Sequence, residues 1–138
     1  MTRVVIDPSV FVSALIGKPG SAPDIVVRAF VDDRIEVVVS PLLVAELKRV
    51  LARPKFRRYI DHKSATEYVA RIQRHASTAS DPTNAPTVTR DPDDDYLVAL
   101  AKQEDVDAII SVDLDLLDAG FTDPPVRTPR QLADTLTR

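Results

Sequence analysis

Four aspartates crowd five positions in the stretch RDPDDDYLVALA (90–101): Asp91, Asp93, Asp94 and Asp95. Charges so close repel one another, so a compensating positive element is expected, either a helix N-terminus or a bound cation. Three further acids stand where carboxylates are unusual. Asp7 closes the β-branched run Val4, Val5, Ile6, and Asp113 closes IISV (109–112). Glu46 sits among Leu42, Leu43, Leu47 and Val50 at helical spacing. A carboxylate on an apolar face needs a partner, whether an arginine, a loop hydrogen bond or a metal ion.

Helical spacing separates the members of the aspartate run. Asp91 suits an N-cap with Pro92 at the first helical position, and acids in the next two positions each gain roughly 0.3–1 kcal/mol from the helix dipole. Asp94 lines up with Leu97, Val98 and Ala101 and is expected to face inward. Asp95 lines up with Ala99 and Lys102, which reads as the wet face, and Asp93 is intermediate. Asp93 and Asp95 stay open as alternatives for the inward acid.

The elements that must position these acids follow from apolar runs and cap residues. Val4 to Ile6, Ile35 to Val39 and Ala108 to Val112 read as buried strands. Helices are expected from Phe11 to Ile16, after Ser21 to about residue 31, from Pro41 to about residue 52, after Ser64 to about residue 78, and over 92–103. A short basic helix follows the Pro54 break, 80–87 is the longest loop, and Thr128 with Pro129 and Gln131 opens a last helix. Apolar strands separated by helices predict an α/β fold: a central, mostly parallel sheet with helices on both faces.

In such a sheet, ligands sit beyond the carboxyl ends of the strands. Asp7 and Asp113 therefore reach one edge, with Asp115 in the same loop, and Glu46 and Asp94 are expected to join them there. Carboxylates gathered in this way cannot all stay ionised without a cation. The chain has no cysteine and only His62 and His75, so the donors are oxygens and suit Mg²⁺ or Mn²⁺ rather than zinc. Magnesium held by carboxylates serves phosphodiester chemistry by activating water and neutralising charge. Both histidines read as surface residues.

The totals agree with this picture. The 138 residues, 44% hydrophobic and 28% charged, suit one domain over 1–138 with a real core. No apolar run approaches the roughly 20 residues of a membrane span, and Asp7 interrupts the N-terminal apolar stretch, so a cytoplasmic protein with no membrane partner is expected. A net charge of −3 advertises no nucleic-acid binding, yet seven of the 18 Lys/Arg fall within residues 48–63 beside one acid, Asp61. That segment is either a solvated helix face or a contact for a phosphate backbone, with Arg53, Lys55, Arg57 and Arg58 at its centre. Tyr59 could stack on a base, whereas Phe56 suits the core.

Four motifs taken together resemble the PIN-domain ribonucleases, in particular the VapC-like toxins of bacterial toxin–antitoxin pairs. VVIDPS (4–9) resembles the first motif, SPLLVAEL (40–47) the second, DPDDDYLVALA (91–101) the third and AIISVDLDLL (108–117) the fourth; TPRQL (128–132) is also familiar from one branch. The resemblance spans nearly the whole chain and implies a Mg²⁺- or Mn²⁺-dependent endoribonuclease. Asp7, Glu46 and Asp94 would hold the ion. Asp113, with Asp115, would complete the set, and Ser9 and Ser111 would support the carboxylates. It further implies an RNA substrate, an antitoxin protein and a homodimer.

Two other readings compete. A receiver or phosphatase would also use magnesium beyond a parallel sheet. However, a receiver wants paired acids after its first strand and a late lysine, and a phosphatase wants an aspartate where this chain has Ser9. The non-enzymatic alternative is a catalytically silent PIN-like module that binds RNA or protein. Loss of an acid would signal it, and all four are present.

Overall fold

The structure, a computed structural model, describes residues 1–83 and 92–136. The N-cap expected at Asp91, the far end of the expected 80–87 loop and the Asp93 side chain lie outside the described residues.

Five parallel strands form one sheet in the order β3-β2-β1-β4-β5. They are β1 (Arg3–Ile6), β2 (Glu36–Val39), β3 (Ser77–Thr78), β4 (Ala108–Ile110) and β5 (Val126–Arg127). Apart from the half-buried Arg3 and Glu36 that open β1 and β2, the central three are apolar and buried, as strands covered on both faces must be. The sequence pattern finds these three and misses β3 and β5, because two residues carry no periodicity. The first strand is central: Val4, Val5 and Ile6 pair with Ala108, Ile109 and Ile110 on one side, and Arg3 and Val4 with Glu36 and Val37 on the other.

Seven helices flank the sheet among the described residues: α1 (Pro8–Ile16), α2 (Ala22–Val31), α3 (Pro41–Leu51), α4 (His62–His75), α5 (Pro92–Gln103), α6 (Leu114–Leu117) and α7 (Pro129–Leu136). α1 packs on α2 and α3, α3 on α4, and α2 on α7, while α5 lies against β1 and β4. Three expected caps are formed. Ser21 accepts the Asp24 amide and Ser40 the Leu43 amide, both at 3.4 Å, while Thr128 and Gln131 bond reciprocally at 2.8 and 3.1 Å.

Three expectations are corrected. α1 begins at Pro8, not near Phe11, because Asp7 caps it and proline fits the first helical position. α4 is capped by Asp61, whose Oδ1 accepts the Ser64 amide at 2.7 Å, so it starts before Ser64. The basic helix after Arg53 is a single 3₁₀ turn, Pro54–Phe56, that buries Phe56. No helix among the described residues is long and apolar enough to cross a membrane.

Candidate active site

β1 runs out at Asp7 and β4 at Ser111, and the two strand ends are joined through side chains. Asp7 Oδ1 accepts the Ser9 amide at 3.1 Å, which caps α1, and Oδ2 accepts the Ser111 hydroxyl at 2.8 Å. The same Ser111 oxygen accepts the Asp113 amide at 3.0 Å. Ser111 is fully buried, so its hydroxyl is spent on holding the two aspartate segments together. Asp113 in turn caps α6 by accepting the Asp115 amide at 2.9 Å.

Burial holds the Asp7 carboxyl above the ordinary carboxylate range; the Ser9 and Ser111 donors pull it back, and the Asp113 charge pushes it up again. That repulsion places Asp7 and Asp113 within electrostatic reach of each other.

A cavity of about 510 Å³ opens in front of them. Asp7, Glu46, Asp94 and Asp113 all line it, brought there by β1, α3, α5 and the β4–α6 turn. Its other wall is apolar, with Leu43, Val50 and Leu97 behind and the exposed side chains of Leu42 and Val112 at the rim. Ser9 and Arg53 also line it. Among the described residues, the acids that share this cavity are the four singled out from the sequence.

Two expectations are not met. Asp95 is buried, only 6% exposed, beside Asp94 at 4%. α5 buries a wide arc, with Leu97, Val98, Leu100 and Ala101 all in the core, so Asp95 follows its third neighbour Val98 inward rather than Lys102 outward. It is not among the residues lining the cavity. Asp115 is exposed and also off the cavity wall; in the first turn of α6, it contributes to the site the backbone N–H that Asp113 accepts.

The donors suit a hard divalent ion: the acidic groups on the wall offer carboxylate oxygens, and the charge of Asp113 bears on Asp7. Among the described residues, however, no three acidic or imidazole side chains stand close enough together to hold an ion. Glu46 is engaged elsewhere, in a forked pair with Arg49 at 2.5 and 2.9 Å.

The basic segment divides by role. Arg53 is exposed and reaches the cavity. Arg57 is half-buried and is used internally, donating to the Leu51 carbonyl and lying 3.1 Å from His62 Nδ1. Lys55 and Arg58 stand exposed over the rings of Phe56 and Tyr59, at 5.1 and 5.2 Å. Phe56 is core and Tyr59 is 54% exposed, as their surroundings in sequence suggest.

Sequence reasoning misses Tyr96 and Asp81. The Tyr96 hydroxyl, on the cavity wall, donates to Asp81 Oδ1 at 2.7 Å and also contacts the Ser40 hydroxyl. Burial pushes the Tyr96 hydroxyl up to about 12, so it remains a donor at neutral pH. Burial pushes the Asp81 carboxyl up as well, yet hydrogen bonds from Tyr96, the Leu42 amide and Ser40 hold it below the ordinary range. A polar loop residue such as Asp81 carries no signal in sequence; Tyr96 could have been found from its place two residues past Asp94.

Comparison with known proteins bears on this site. The profile of the PIN domain family matches residues 3–115, which contain all four acids. An uncharacterized protein of Methanocaldococcus jannaschii is 30% identical over 115 residues, covering 83% of this chain and 73% of that protein. The crystal structure of PAE2754 from Pyrobaculum aerophilum superposes with a TM-score of 0.65 over 99% of this chain and 90% of the other, at 14% identity, which shows a shared fold.

Proposed function

The chain belongs to the PIN domain family, whose members are generally nucleases, and from that premise we propose that it is a Mg²⁺- or Mn²⁺-dependent endoribonuclease. The observation that carries this reading is the meeting of Asp7, Glu46, Asp94 and Asp113, from four separate elements, around one cavity at the carboxyl edge of a parallel sheet. Asp7, Glu46 and Asp94 would hold the ion, and Asp113 would complete the set. A divalent ion so held supplies activation of water and neutralisation of the phosphodiester charge.

The chain's own residues do the rest. Ser111 fixes the Asp7 carboxylate by its hydroxyl and the Asp113 turn by its oxygen, which sets the geometry before substrate arrives. Arg53, a cation on the same wall as the acids, would offer the RNA backbone a charge-assisted contact. Lys55 and Arg58 extend that positive surface outward.

The toxin role, an antitoxin partner and a homodimer belong to the same proposal and rest on the resemblance of the four motifs to VapC-like toxins. An antitoxin segment would find apolar purchase on Leu42 and Val112 at the cavity rim. One observation favours the silent-module reading instead: the Glu46 carboxylate is already engaged by Arg49. Incubating the purified protein with a mixed RNA pool in Mn²⁺, Mg²⁺ or EDTA separates the two. Cleavage in metal, absent in EDTA and absent in Asp7→Asn, is the expected result; a folded wild type that binds RNA and Mn²⁺ without cutting would establish the silent module.

A further inference from the structure

We infer that Tyr96 is a positioning residue: acting through Asp81, it pins the start of α3 to the start of α5 and so fixes Glu46 against Asp94 across the cavity. The inference rests on the reading above that these two carboxylates share one divalent ion.

Glu46 and Asp94 ride on helices that belong to different parts of the fold. α3 packs on α1 and α4, whereas α5 packs on β1 and β4, and direct packing between α3 and α5 is slight. Direct contact between the two helices therefore does little to set their separation, which is where a side-chain bridge can act. One Asp81 carboxylate oxygen receives both the Tyr96 hydroxyl, at 2.7 Å, and the Leu42 amide, at 3.0 Å. The Ser40 hydroxyl, which accepts the Leu43 amide at the start of α3, closes on the Tyr96 oxygen as well. Two orphan amides of the α3 N-terminus are thereby tied to a side chain of α5.

The placement makes the link specific to the site. Leu42 lies one helical turn before Glu46, and Tyr96 lies two residues after Asp94; all four line the cavity. Loss of the Tyr96 hydroxyl would leave Asp81 capping α3 but release α5 from it. Loss of the Asp81 carboxylate would free the Leu42 amide and leave only the Ser40 contact between α3 and Tyr96. The acids would remain present, with their spacing no longer held.

The test is Mn²⁺ binding to the full chain by titration calorimetry, comparing wild type with Tyr96→Phe, Asp81→Ala, Asp81→Asn and the Tyr96→Phe/Asp81→Ala pair. Outer-sphere support of this kind is worth about 10–100-fold in metal affinity. Tyr96→Phe is expected to weaken Mn²⁺ binding about ten-fold while keeping a melting temperature close to wild type in EDTA. The double variant is expected to lose less than the sum of the two single losses, since Tyr96 acts largely through Asp81 and otherwise only through Ser40. Asp81→Asn, which keeps an acceptor oxygen, is expected to recover much of the loss. Unchanged Mn²⁺ affinity in Tyr96→Phe, or fully additive losses in the double variant, would overturn the pin. A wild type that binds no Mn²⁺ would overturn the nuclease reading itself and the pin with it.

Discussion

Asp7 and Ser111, 104 residues apart in sequence, meet in a 2.8 Å hydrogen bond that joins the ends of the first and fourth strands. The bond is a compromise. It steadies a carboxylate that burial would otherwise drive toward its neutral form, with the charge of Asp113 adding to the same pressure.

The compromise makes Asp7 costly to the metal-free fold. Its folded-state pKa is raised, so the folded protein holds this proton more firmly than the unfolded chain. Stability is then lost as pH rises from the ordinary carboxylate range through the raised value, and the full penalty applies at neutral pH. Asp7→Asn should abolish RNA cleavage yet raise the melting temperature in EDTA by a few degrees, on a scale of about 4 °C per kcal/mol for a domain of this size. A melting temperature several degrees below wild type would show that the charge stabilises the fold instead.

The neighbouring acids of α5 should separate cleanly. Asp94 lines the cavity, whereas Asp95 is buried away from it. Asp94→Asn is expected to eliminate cleavage with a near-normal melt. Asp95→Asn is expected to retain cleavage and lose about 1–3 kcal/mol of stability, the usual loss when a buried polar group is disturbed. Chemical denaturation and a cleavage assay on the same two preparations decide it, and a cleavage-dead, fully stable Asp95→Asn would move the ion to the other carboxylate.

Arg49 competes with any ion for Glu46. The pair is partly exposed, with Arg49 59% and Glu46 28% accessible, so it contributes little to stability, within about 1 kcal/mol. Arg49→Ala should therefore leave the melt nearly unchanged and lower the Mn²⁺ concentration needed for half-maximal cleavage several-fold. If that concentration stays the same or rises, the arginine is not holding the carboxylate back.

The basic segment predicts two different phenotypes from two arginines. Arg53→Ala should weaken RNA binding and reduce the slope of log affinity against log salt by about one, the signature of a lost phosphate contact. Arg57→Ala should leave that slope alone and lower stability, because its guanidinium supports the Leu51 carbonyl and His62. Equal salt slopes for Arg53→Ala and wild type would assign the segment to solvent.

The sequence is informative wherever a single element suffices to interpret a residue. Val4 to Ile6 announce a buried strand by their branching, Ser21, Ser40 and Thr128 announce helix starts by their hydroxyls, and a glutamate among leucines marks Glu46 as exceptional. Asp7 and Asp113 are legible because each ends an apolar strand, and parallel strands place their ends together. Legibility stops where neighbours come from elsewhere in the chain. Lys102 argues that Asp95 is wet, but the sheet beneath α5 covers a wider arc than one stripe. β3 and β5 exist only through pairing with longer strands. Asp81 acquires its role from Tyr96 and Leu42, which no local pattern connects to it.

Because β1 is the central strand and its partner β4 begins at Ala108, a chain emerging from the ribosome carries Asp7 long before it can carry a working site. The pairing that delivers Ser111 to Asp7 is also the most non-local pairing in the sheet, so it carries the largest loop-closure entropy of the four strand pairings. On the proposed nuclease reading, nascent or truncated chains that stop short of β4 would lack Ser111 and Asp113 and leave RNA uncut. The same dependence holds in the finished molecule: separating β1 from β4 dismantles the cavity and splits the sheet down its middle in a single event.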